Sequence, residues 1–203
     1  MKPTKPISEW RNIFLDTSVI IDFLQKPEKF GKNPPVQKRI EFVHQIMAIL
    51  GSGNSGNGSR RFYVSAITVA ELKHLQRPHT TKDIVNIFNG ADVMFIDFTK
   101  DIALLLNNSL EKNLSSDQIK QWKANLVAAK LSDDQHVSAR QWISDDMKII
   151  ASVKAVKNID VVLTCDHKTF KPITDRFEVP CLTMNEEEFP HDMFGAINQS
   201  GLF

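Results

Sequence analysis

Residues 12–24 read NIFLDTSVIIDFL, and the order of side chains in this stretch decides the fold. A short apolar run, Ile13 to Leu15, closes on Asp16. Two hydroxyl residues follow, Thr17 and Ser18, and then Val19, Ile20, Phe23 and Leu24 recur at near-helical spacing. The pattern predicts a strand, a turn and a helix. Downstream, Val36, Ile40, Val43, Met47 and Leu50 are spaced by four, three, four and three residues, one apolar helix stripe, with Pro34 and Pro35 as its start signal.

The alternation continues beyond that helix. Residues 61–65 (RFYVS) read as a second strand and 68–76 as a helix with Val69, Leu72 and Leu75 on one side. Residues 92–96 (DVMFI) read as a third strand. Residues 100–143 form an extended helical region, an insertion or cap, with one stripe at Ile102, Ala103, Leu106 and Leu110 and another at Ile119, Trp122 and Leu126. A further helix is predicted to open at Asp146 and run through Ile149, Ile150, Val153 and Val156. It leads into DVVLT (160–164), whose continuous apolar centre suits a strand covered on both faces. Val179 to Leu182 is predicted as an edge strand. Strands alternating with helices imply an α/β fold, a mostly parallel central sheet between two helical layers. In such sheets ligands bind beyond the carboxyl ends of the strands.

At 203 residues and 42% hydrophobic, the chain suits one domain, residues 1–203, with insertions. The segment GSGNSGNGS (51–59) holds four of the eight glycines and no apolar anchor, and is predicted to be a flexible surface loop. It is no phosphate-binding P-loop, because Ser59 is followed by Arg60 where that motif needs Lys and a hydroxyl residue. With 25 Lys+Arg against 24 Asp+Glu, no global basic field draws the protein onto nucleic acid, so any basic surface must be local. The N-terminus has no signal-peptide apolar stretch, and no apolar run is long enough to span a bilayer, so a cytoplasmic protein without membrane contact is expected. Cys165 and Cys181 have neither zinc-site nor disulfide-scaffold spacing and are expected to be small buried thiols near strand ends.

Four acids fall where such a sheet would gather them. Asp16 ends the first strand, Asp166 follows DVVLT, Glu71 is expected in the first turn of its helix and Asp146 at the opening of another. Converging carboxylates, each with a reference pKa near ~4, repel one another unless a cation neutralises them. Oxygen ligands without His or Cys favour Mg²⁺ or Mn²⁺ over zinc, and such ions polarise a phosphodiester and activate water. Each acid also fits a structural role. Asp16 could cap the following helix, and Thr68 with Glu71 matches the capping box T-x-x-E. Asp145 and Asp146 suit a helix N-terminus, and Asp166 suits a turn.

The segments LDTSVIIDFL (15–24), SAITVAEL (65–72), DMKIIAS (146–152) and LTCD (163–166) resemble, in order and context, the four motifs of PIN domains. The resemblance covers Ile13 to Leu182 apart from the glycine loop and the helical region 100–143, both departures from compact members of that family. It implies a doubly wound α/β/α sandwich and a Mg²⁺- or Mn²⁺-dependent endoribonuclease acting through metal-activated water, similar to the toxins of bacterial toxin–antitoxin pairs. Asp16, Glu71, Asp146 and Asp166 match the metal-binding and catalytic acids. Asp146 rather than Asp145 stands three residues before Ile149 and five before Ala151, as the family's D-x-x-I-x-A pattern requires, with Asp145 the fallback. Thr164 matches the hydroxyl residue two before the last acid, placed to hydrogen-bond a ligand carboxylate or a water. Asp22 recurs in such opening motifs, here as an exposed or structural residue. An antitoxin partner and a homodimer are implied by the resemblance alone.

Basic residues near the motifs, and so candidates to contact RNA phosphates, are Arg60, Arg61, Lys73, His74, Lys148, His167 and Lys168. The competing class is a catalytically silent PIN-like module that binds RNA or a protein without turnover. An aspartate-based phosphatase is disfavoured because Asp16 is followed by Thr17 and Ser18 rather than completing DxD. A dinucleotide-binding dehydrogenase lacks its GxGxxG.

Overall fold

The computed structural model of the chain describes residues 1–52, 60–74, 92–128 and 139–185. Five strands form one sheet: β1 (Asn12–Leu15), β2 (Arg61–Ser65), β3 (Asp92–Ile96), β4 (Val161–Thr164) and β5 (Cys181–Thr183). Their order is β3-β2-β1-β4-β5, and every pairing is parallel. The helices are α1 (Thr17–Phe23), α2 (Pro34–Ser52), α3 (Ala66–His74), α4 (Lys100–Leu105), α5 (Ser116–Ala128), α6 (Ala139–Ala155) and α7 (Phe170–Arg176).

Alternation along the strands divides the core. Ile13 and Leu15, Phe62 and Val64, and Val161 and Leu163 face one side, where they pack with Val19 and Ile20 of α1 and Val43, Ile46 and Leu50 of α2. Phe14, Tyr63, Val162 and Cys181 face the other side, against Met147 and Ile150 of α6, Ile173 of α7 and Trp122 of α5. Each fully buried Phe, Leu or Ile contributes roughly 1.5–3 kcal/mol, so both faces carry real stabilisation. The result is the three-layer α/β sandwich expected, with an entirely parallel sheet. All four residues of β4 are buried, as its apolar run requires.

Local differences from the sequence reading have identifiable causes. Helix α3 starts at Ala66 because Ser65 Oγ accepts the Ile67 amide at 3.2 Å and caps it. Thr68 is therefore inside the helix and fully buried, the capping box with Glu71 does not form, and Glu71 lies in the second turn. Helix α6 spans Ala139–Ala155, so Asp146 is two turns into it rather than at its opening. Gly51 and Ser52 of the expected loop belong to α2, and 53–59 lie outside the described residues. The region from 100 is helical through 128, with a π-turn at Leu106–Leu110 and a break at Leu114, and 129–138 fall outside the description.

Two arginines expected near phosphate serve the scaffold instead. Arg60 is buried, and its guanidinium donates to the backbone carbonyls of Trp10 (3.2 Å), Ile49 (3.1 Å) and Leu50 (2.9 Å), closing the C-terminal end of α2. Arg61 pairs with Asp92 at 2.7 Å where β2 and β3 begin, the edge opposite the strand ends. Asp22 is buried and takes both Nε (2.6 Å) and Nη2 (3.1 Å) of Arg39, the structural role rather than the exposed one. Both cysteines are buried and free beside strand ends.

Candidate functional site

The sheet order reverses between β1 and β4, with β2 and β3 built outward on one side and β5 on the other. Neighbouring strands whose connections leave in opposite directions open a crevice at their carboxyl ends. Asp16 and Asp166 both emerge there. The Asp16 amide donates to the Leu163 carbonyl at 3.0 Å, extending the β1–β4 ladder one step, so the first acid is fixed by the sheet itself.

Asp16 is buried and caps α1, accepting from the Ser18 amide (3.4 Å) and hydroxyl (2.5 Å). Thr164, the last residue of β4, donates its hydroxyl to Asp16 at 2.8 Å and accepts the Asp166 amide at 3.0 Å. One fully buried side chain thus links the first acid to the last. The sequence expected Thr164 to hydrogen-bond a ligand carboxylate or a water, and its hydroxyl does reach the Asp16 carboxylate, positioning it. Thr164→Val is expected to cost about 1–3 kcal/mol, because a buried amide and a buried carboxyl each lose a partner. Thr164→Ser, which keeps the hydroxyl, should retain most of the stability in urea denaturation, and a loss in Thr164→Ser as large as that in Thr164→Val would show that the hydroxyl alone does not carry the effect.

Asp166 starts the turn into α7. Its Oδ1 accepts the amides of Lys168 (2.8 Å) and Thr169 (2.9 Å), its Oδ2 that of Phe170 (3.3 Å), and the Thr169 hydroxyl donates to Oδ2 as well. The Thr169 hydroxyl is also within hydrogen-bonding reach of Asp146. Across the crevice, Glu71 of α3 receives the hydroxyl of Thr17, which stands 3.0 Å from that of Thr68. The cap and turn roles of Asp16 and Asp166 and their convergence on one site therefore coexist.

Burial pushes the Asp16 carboxyl up to about 6; the Ser18 and Thr164 hydroxyls oppose this, and the nearby Asp166 adds to it. Burial lifts Glu71 to about 8, with the Thr17 hydroxyl opposing, Asp16 and Asp145 adding repulsion and Lys148 relieving part of it. Asp146 is held well above the usual carboxylate range by burial and then by Asp166, Asp16 and Glu71. The four acids predicted from sequence are thus one electrostatic group. Asp145 is different: Gln141 donates to both its oxygens at 3.0 Å and Lys148 forms an ion pair with it at 2.7 Å. Asp146 is the buried member of the pair, and Asp166, Asp16 and Glu71 all act on it, whereas Asp145 acts on Glu71 alone of the four.

Among the described residues none of the four acids forms an ion pair. Their partners are hydroxyls and backbone amides, which lower the cost of a buried charge without discharging it. An all-oxygen donor set short of positive charge fits a hard divalent cation. As the side chains are placed, no three His, Cys, Asp or Glu among the described residues stand close enough to grip one ion.

Sequence reasoning missed the hydroxyls of Thr17, Ser18 and Thr169, which hold Glu71, Asp16 and Asp166. Their signal is present: hydroxyl residues directly after an acid at a strand end, as in Asp16-Thr17-Ser18, are placed to solvate it. Of the basic residues named from sequence, Lys148 lies against the cluster and His167 and Lys168 are exposed beside Asp166, whereas the side chains of Lys73 and His74 lie outside the described set. No protein-family model matches this chain, and a search of curated proteins finds no significant relative.

Proposed function

We propose that this protein is a divalent-metal-dependent phosphodiester hydrolase acting on RNA, with Asp16, Glu71, Asp146 and Asp166 as its Mg²⁺ or Mn²⁺ ligands. One observation carries the reading: four acids from four segments gather around the strand crossover, none with an ion-pair partner among the described residues, and three are destabilised as anions by burial and by neighbouring acids. A fold gains no stability from such a group unless a positive ligand completes it. The choice of RNA as substrate, and of a toxin held by an antitoxin, rests on the motif resemblance.

The bound metal would supply Lewis-acid activation of water and of the phosphate. The chain supplies the rest. Thr164 and Ser18 fix the rotamer of Asp16, Thr17 orients Glu71, and Thr169 orients Asp166 towards the same crevice. The amide ladder from β4 keeps Asp16 and Asp166 in constant register.

A silent binding module is the second reading, favoured by the structural duties of Asp16 and Asp166 as cap and turn, which persist without turnover. Cleavage of single-stranded RNA decides between them. Hydrolysis supported by Mn²⁺ or Mg²⁺, and lost on chelation and in Asp16→Asn, is the expected result. Activity that survives both treatments, or no hydrolysis with either ion, removes the metal-nuclease reading.

A further inference from the structure

Among the candidate phosphate contacts whose side chains are described, Lys148 is the one that shares a helix with one of the four acids. It lies on α6, two residues beyond Asp146, with its side chain 26% exposed. Its ammonium pairs with Asp145 at 2.7 Å, and Asp145 is itself held by both hydrogen bonds from the Gln141 amide. These three side chains, at i, i+4 and i+7, form one stripe along the helix. The stripe fixes a residue that would otherwise sweep a wide volume. Helix α6 packs against α3, where the hydroxyl of Ser152, one turn beyond Lys148, stands 3.4 Å from that of Ser65, and the Lys148 charge eases the ionisation of Glu71 on α3. An ammonium has three donors, and the Asp145 bond uses one.

The other cations of the region whose side chains are described are committed elsewhere or exposed. Arg60 is spent on backbone carbonyls, Arg61 lies at the opposite sheet edge, Arg39 is bound bidentate to Asp22, and Lys154 donates to the Phe177 carbonyl at 2.9 Å. His167 and Lys168 are exposed, and their side chains form no hydrogen bond or ion pair among the described residues. A polyanionic strand approaching four carboxyls needs positive charge beside them, since the acids themselves repel phosphate.

We propose that Lys148, oriented by Asp145 and Gln141, binds a backbone phosphate of the nucleic acid next to the acidic crevice and thereby positions the strand. This inference rests on the nucleic-acid reading of the site, but its test does not require turnover. Fluorescence anisotropy of a labelled single-stranded RNA with the full chain, in chelator and across a salt series, reads the contact directly. Each phosphate contact on a single strand contributes about 0.7 to the slope of log K against log salt. Lys148→Gln should therefore lower the slope by about 0.7 and weaken binding about fourfold at 0.15 M salt. Lys148→Arg should retain both.

A role confined to neutralising Asp145 and Glu71 would move the melting temperature and leave the salt slope alone. An unchanged slope and affinity in Lys148→Gln overturns the inference, as does a wild-type chain with no measurable RNA affinity. The two failures separate: wild-type protein that binds through Lys148 but never hydrolyses RNA in Mn²⁺ refutes the nuclease and keeps the contact. Wild-type protein that hydrolyses RNA while Lys148→Gln binds with wild-type slope does the reverse.

Discussion

Asp146→Asn is expected to abolish metal-dependent RNA hydrolysis and, in the metal-free protein at pH 8, to raise the melting temperature by about 2–4 °C, corresponding to about 1 kcal/mol for a chain of this size. The gain follows from what the carboxyl endures. Asp146 is 8% exposed, it is disfavoured as an anion by burial, and three further acids act on it. Asparagine keeps the shape, can still accept from Thr169, and carries no charge to desolvate. The loss of activity should exceed about 10²-fold, the upper range for removing a mere outer-sphere partner, because the residue removed is one proposed as a direct ligand. Opposite effects on stability and turnover mark a residue kept for function at a cost to the fold.

Asp145→Asn is the internal comparison. It breaks the ion pair with Lys148 and is expected to destabilise slightly, by at most about 1 kcal/mol for a half-buried pair. Calorimetry of both variants settles which acid belongs to the cluster. If Asp146→Asn melts lower than wild type at pH 8, or cleaves at the wild-type rate, the assignment of Asp146 fails.

The fold was legible wherever one strand or helix carried its own pattern. β2 and β3 match their expected residues, 61–65 and 92–96, because apolar strand runs between polar turns are local signals. The parallel order followed from strand–helix alternation, and with it the gathering of Asp16 and Asp166 at one edge. Helix starts were less legible, since they depend on which hydroxyl wins the cap. Ser65 and Thr68 are both competent N-caps, and only the place where β2 ends selects Ser65. Asp146 was misplaced within its helix for a related reason: a helix continuing from Ala139 has no cap at residue 145 to read.

Partners of the arginines were illegible for a different reason. Arg60 and Arg61 are neighbours in sequence with identical side chains, yet one is buried on the carbonyls of α2 and the other pairs with Asp92 on the surface. Strand alternation sends them to different environments, and nothing local states which environment holds a ring of unsatisfied carbonyls. The four acids were therefore readable as a set, while the hydroxyls that hold them and the anchoring of Lys148 needed the fold.

The same acids give the metal-free protein an unusual dependence of stability on pH. For Asp16 and Glu71 the folded-state values, about 6 and about 8, lie above their ordinary values of 3.8 and 4.5. Between the ordinary and raised values the folded chain binds more protons than the unfolded chain, so stability falls as pH rises and levels off above about pH 8. Asp160 and Asp175 have the opposite sign. Burial acts against them, but Lys5 with the amides of Asn12 and Arg11, and Lys171 with the terminal amine, overcome it and hold both below the usual range. Their contribution is present above the ordinary carboxylate pKa and disappears in acid. The two windows do not overlap, so stability in chelator should peak at about pH 4–5 and decline towards pH 8 by an amount on the order of several kcal/mol, spread over the range because the acids titrate together. Saturating Mn²⁺ or Mg²⁺ should reverse the decline, by about 2.7 kcal/mol at a hundredfold excess over its dissociation constant, and more at pH 8 than at pH 5 because ligand carboxyls must lose their protons to bind. Urea denaturation at these two pH values, with chelator and with metal, reads all four states. Stability that is flat or rising from pH 5 to 8 in chelator would show that the acids do not share one crevice, and a decline that metal fails to reverse would leave the cluster without the ligand proposed for it.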